Sequence, residues 1–282
     1  MGFWKALFGG DDESPTEERQ QDKTFDLLKY DGVKAMKIGR ADYAVRCFQE
    51  ALKLRDDPET HDYLSQVYLR LGELEGARAE LQVLADAEPG NVAIMIRMAQ
   101  VEFMREDYSA METACQLAMN IDEHLPQPYV LAAQASVGQR NLKKAMERLD
   151  KAIALRDDYA EARLMRGQIL LRAGNTAAAE TDVDWLMDNV GEQEDVLLLK
   201  AHLETAKGHN DEAQRCYDMV IEANPFSVEA FIERSKLKLA AGDAAGAQED
   251  LDAARELNPT EDAEDIEQQV KQAYKNVNPF GI

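Results

Sequence analysis

Apolar residues recur along this chain in a helical rhythm that repeats about every 34 residues. Alanine stands at Ala44, Ala77, Ala145, Ala179, Ala213 and Ala247, and the one lapse in the series falls at Met111. Four residues beyond each member come Phe48, Leu81, Cys115, Leu149, Val183, Tyr217 and Leu251. Three beyond those come Ala51, Leu84, Ala118, Ala152, Leu186, Val220 and Ala254. Spacings of four and then three place all three positions on one face of a helix. Twelve residues before each member lies another small residue: Gly32, Ser65, Ala99, Ala133, Gly167, Ala201 and Ser235. Between the two small positions stand Gly39, Gly72, Gly174, Gly208 and Gly242, with Glu106 and Arg140 in the remaining two repeats. The pattern predicts pairs of antiparallel helices joined by short turns, with small residues letting each pair close. Larger side chains there would cost roughly 1–3 kcal/mol per overpacked site. Glycine supplies the turn's backbone freedom. A period of this length marks a helix–turn–helix solenoid, a fold that presents a long surface to another chain.

This combined register resembles the tetratricopeptide repeat family. Seven repeats fit, over 25–57, 58–91, 92–125, 126–159, 160–193, 194–227 and 228–261. Asp57 before Pro58, Asn91 before Val92 and Ser227 before Val228 are the expected N-caps. The expected fold is all-α: an α-α superhelix of seven helix–turn–helix repeats closed by a C-terminal capping helix. Residues 1–24 would hold a short apolar segment and an acidic linker (Asp11–Asp22, containing Pro15), expected to be mobile. Residues 25–261 would hold the repeats, and 262–282 a polar capping helix over Asp262–Tyr274 and a tail. Asp31, Arg166, Lys200 and Arg234 are charged where the family places a large apolar residue, and the loop proline survives only in Pro89, Pro225 and Pro259. Both departures read as drift. Repeat three has lost its turn glycine (Glu106) and its alanine (Met111), so a looser or re-angled joint is expected there.

The resemblance implies that the first helix of each repeat lines a concave face through three positions. The first reads Lys29, Asp62, Ile96, Val130, Leu164, Leu198 and Ile232; the second Val33, Gln66, Gln100, Gln134, Gln168, His202 and Lys236; the third Met36, Leu69, Phe103, Val137, Leu171, Thr205 and Leu239. Gln66, Gln100, Gln134 and Gln168 recur at intervals of 34 residues beside an apolar stripe. A side-chain amide both donates and accepts, which suits the backbone of an extended peptide. The competing reading is that the apolar residues only pack against neighbouring repeats. Some family members clamp C-terminal carboxylates with Lys, Asn, Asn, Lys and Arg. Here Lys29 and Arg97 match the outer two, while Val33, Tyr63 and Ala93 do not, which argues against a clamp.

Composition narrows the partners. The 282 residues carry a net charge of -22, a surface that repels nucleic acid and anionic membranes. Cys47, Cys115 and Cys216 are too few and too scattered for a disulfide framework, which fits a reducing, cytoplasmic setting. The expected function is therefore a non-enzymatic scaffold that binds a protein or peptide segment, with no cofactor and no metal site. No phosphate loop, metal-ligand cluster or nucleophile–base pattern appears, and the sequence Gly9-Gly10-Asp11-Asp12 is a chance match to nucleotide cyclases. One anomaly remains: Phe3, Trp4, Leu7 and Phe8 would share one face of a short helix. They suggest an inert tail, or a docking segment for a partner, for the protein's own groove or for self-association. The alternative function is a peripheral membrane adaptor anchored by residues 1–8.

Overall fold

The computed structural model describes residues 15–258. The segment of Phe3, Trp4, Leu7 and Phe8 and the helix expected over 262–274 lie outside them. The described residues form fourteen α-helices and no strand. The chain divides into two compact units between Arg148 and Leu149, inside α8 (Leu142–Leu155). The first unit contains α1 (Pro15–Lys37), α2 (Ala41–Leu54), α3 (Pro58–Leu71), α4 (Leu74–Ala87), α5 (Val92–Met104), α6 (Tyr108–Ile121) and α7 (Gln127–Gly138). The second contains α9 (Ala160–Arg172), α10 (Thr176–Asn189), α11 (Glu194–Lys207), α12 (Asn210–Ala223), α13 (Val228–Ala240) and α14 (Ala244–Leu257).

Each alanine of the series is buried, and so is every small residue twelve positions earlier. Steric need explains both. A Cβ added to Gly32 on α1 would lie 2.5 Å from the Phe48 ring of α2, and one added to Gly167 on α9 would lie 2.9 Å from Leu199 of α11. Met111 is also fully buried, in one cluster with Ala99, Ala114 and Cys115. Glu106 and Arg140 adopt the left-handed backbone (φ 58° and 60°) that glycine adopts in the other turns. Repeat three thus keeps the common turn without glycine, at the strain such a residue carries.

Helix ends show what the register left unread. Asp57 and Asn91 cap their helices by accepting from Thr60 and Ala93 backbone N–H groups, at 2.9 and 3.1 Å. Ser227 does not cap; its side chain is buried, and the nearby turn is instead held by Asn224 Oδ1, which accepts from the Phe226 N–H at 3.0 Å. Second helices have caps of their own in the residue after the turn. Asp107, Asn141, Asn175 and Asp243 each accept from the N–H three residues on, at 2.9–3.3 Å. Those four residues sit in the same 34-residue register, a signal that was present in the sequence.

Two expectations are corrected. The acidic linker is largely helix: α1 begins at Pro15, a residue suited to a first helical turn. Arg55 secures this extension, with its guanidinium 3.6 Å from the centre of the buried Phe25 ring and 3.4 Å from Asp22. Nor are Arg166 and Arg234, charged before the small positions, mere drift. Arg166 grips Asp182 with two hydrogen bonds of 2.8 and 2.7 Å and reaches Asp150 with a third of 2.7 Å. Arg234 repeats this on Asp250 (2.9 and 2.5 Å) and Asp218 (2.7 Å). Asp182 and Asp250 are 0% and 3% exposed, so each clasp is a buried charge pair joining the two helices of one repeat. In the repeat between, Lys200 and Cys216 hold the corresponding two positions.

Candidate functional site

The expected binding residues lie on the first helices of the pairs, and each unit has its own set. In the first unit, Leu69 and Ile96 are half-buried against the core cluster that runs from α1 to α6. Phe103 is 46% exposed, its ring edge-on to Tyr108 with centroids 6.4 Å apart. Val137 is half-buried. Val130, expected to line the face, is only 1% exposed and packs inward; so does Leu239 in the second unit, at 3%. There Leu164 and Leu171 pack partly against the cluster of Val183, Leu186 and Leu199, while Leu198 rests on the Tyr217 cluster. Ile232 is half-buried.

The glutamines fall into different settings. Gln66 donates to Asp62 at 2.9 Å, one helical turn back, and Asp62 in turn pairs with Arg97. Gln100 on α5 and Gln168 on α9 are exposed, and Gln134 on α7 is half-buried. The apolar–glutamine–apolar triplet at spacing i, i+4, i+7 therefore presents an open amide twice, as Ile96–Gln100–Phe103 and as Leu164–Gln168–Leu171. His202 lies edge-on to Tyr217, with centroids 6.1 Å apart and its Nε2 3.5 Å from Glu229.

Geometry also explains why no carboxylate clamp forms. Lys29 is spent on Asp57 (2.8 Å) and Glu59 (2.6 Å), and these contacts raise its pKa against the opposing pull of burial. Arg97 is held by Asp62 and by Ser65 Oγ at 2.6 Å. Arg97 lines a cleft of about 450 Å³ whose other polar walls are Glu59, Asp62, Glu88 and Asn91. Three carboxylates against one paired guanidinium make this cleft hostile to an anion.

Among the described residues, no three His, Cys, Asp or Glu side chains are grouped to hold a metal ion, and no helix is long and apolar enough to cross a membrane. The three thiols are free and buried, and burial pushes the Cys115 thiol up to about 12, far from nucleophilic form at neutral pH.

A family model described as the tetratricopeptide repeat protein 21 N-terminal ARM repeat matches residues 37–244. No curated protein matches the sequence. Among solved structures, a tetratricopeptide repeat protein from Parabacteroides merdae ATCC 43184 is similar over 89% of this chain and 99% of its own, with TM-score 0.72 and 16% identity. PilW, a widely conserved type IV pilus biogenesis factor, is similar over 76% of this chain and 98% of its own, with TM-score 0.66 and 16% identity. YrrB, a repeat protein with an unusual peptide-binding site, is similar over 68% and 97%, with TM-score 0.52 and 16% identity. At these identities the likeness is one of fold.

Proposed function

Since the chain belongs to the tetratricopeptide repeat family, we propose that it is a non-enzymatic scaffold whose first-helix faces bind an extended segment of a partner protein. The observation that carries this reading is the recurrent triplet of an exposed glutamine between two apolar residues, on α5 and again on α9. An open amide one turn from half-buried apolar side chains offers a backbone hydrogen bond beside shallow apolar contact, the combination an extended peptide needs. Gln66 and Val130 drop out of the binding set, because one is engaged by Asp62 and the other is sealed. A net charge of -22 favours basic or neutral segments. The unusual peptide-binding site of YrrB lends the idea a precedent on this fold.

The test is photo-crosslinking from position 100 and from position 168, followed by mass spectrometry and titration of the captured segment as a synthetic peptide. Gln100→Glu with Phe103→Ala should weaken binding on α5 by about tenfold, the effect of losing roughly 1.4 kcal/mol. Unchanged affinity in that variant and in the matching Gln168→Glu, Leu171→Ala variant would overturn the reading.

A further inference from the structure

Helix α1 carries a face that the fold leaves bare. Leu27, Tyr30 and Ile38 are 60%, 65% and 61% exposed, and with Lys23 and Lys34 they form one stripe at helical spacing. The stripe lies opposite the buried Phe25, Gly32 and Ala35. Tyr43 at the start of α2 is also exposed. Exposed charges of both signs flank it, Arg19 and Lys37 beside Asp22 and Asp26. An exposed apolar stripe along one helix calls for a partner.

The residues ahead of α1 supply an apolar match in Phe3, Trp4, Leu7 and Phe8. Length agrees. Six residues lie between Phe8 and Pro15, and the seven Cα steps reach up to about 25 Å, while Tyr30 lies about 22 Å along the helix. Phe3 reaches up to about 40 Å, enough for Ile38 at about 34 Å. We propose that residues 3–8 fold back and pack on the bare face of α1. The tether supplies an effective concentration that a second copy lacks.

Trp4 and Trp185 are the two tryptophans, so Trp185→Phe makes Trp4 the sole reporter. In that protein Trp4 fluorescence should be blue-shifted and quenched by acrylamide several-fold less than in the same protein carrying Leu27→Glu and Ile38→Glu, at any protein concentration. As a second measurement, Phe8→Cys with Tyr30→Cys should oxidise to an intramolecular crosslink in a monomer; the native thiols are buried and do not compete. Three results would overturn the proposal: equal quenching with no crosslink, shielding that appears only with a doubled mass, or shielding that appears only on vesicles of anionic lipid.

Discussion

At the scale of single residues, the two arginine clasps concentrate the most energy. Removing one partner of a buried pair strands the other charge, at a cost of about 3–5 kcal/mol. Asp182→Ala is expected to lower the unfolding free energy by about that amount, read by urea titration, and Arg166→Ala by less, because Arg163 still reaches Asp182 at 3.3 Å. The chain already holds an apolar answer at the same two positions of an earlier repeat, where Met98 packs into the cluster of Ala114. The double change Arg166→Met, Asp182→Ala should therefore recover most of the loss. Sequence reading missed the clasps because a charged residue at an expected core position looks like an exposed one until its partner sixteen residues away is found. His61 gives a pH-dependent counterpart. Burial lowers its pKa, but contacts with Glu80 and with Asp56 (2.8 Å) outweigh this and raise it. A raised folded value means that its stabilisation is complete below the unfolded value of about 6.5 and fades as pH rises through the folded value. Melting curves of the native protein and of His61→Gln should differ most on the acid side of that window and converge above it.

At the scale of the helix pair, close approach decides stability. Alanine in a helix interior gains roughly 0.5–1 kcal/mol over glycine, whereas overpacking costs about 1–3 kcal/mol. At Gly32 the added methyl meets the flat Phe48 ring at 2.5 Å, so the clash wins and Gly32→Ala should lower the melting temperature. At Gly167 it meets one branch of the buried Leu199 at 2.9 Å, so Gly167→Ala should lower the melting temperature less than Gly32→Ala does. This level was the most legible in the sequence, because close packing admits few side chains and so leaves a strict periodic trace. The caps Asp107, Asn141, Asn175 and Asp243 left the same trace, one residue past each turn. Binding positions were less legible, since periodicity says which way a residue faces but not whether a neighbour covers it: Val130 and Gln100 occupy adjacent steps of one scheme, and only one is open.

At the scale of the whole molecule, 54 acidic against 32 basic residues leave a large self-repulsion. Salt screens exposed charges beyond about 10 Å at 0.1 M, while buried pairs are screened much less. The melting temperature should accordingly rise between low and moderate salt, and it should do so equally in the native protein and in the Arg166→Met, Asp182→Ala variant. A fall with salt, read by calorimetry, would mean that exposed ion pairs dominate instead. The sealed thiols carry a last, practical consequence. With Cys47, Cys115 and Cys216 all inside the helix pairs, a cysteine introduced on any exposed helix face would be the one group that reacts promptly with a maleimide. The molecule is thus ready for single-site dyes without first stripping its native sulfur, and distances along each unit become measurable in solution.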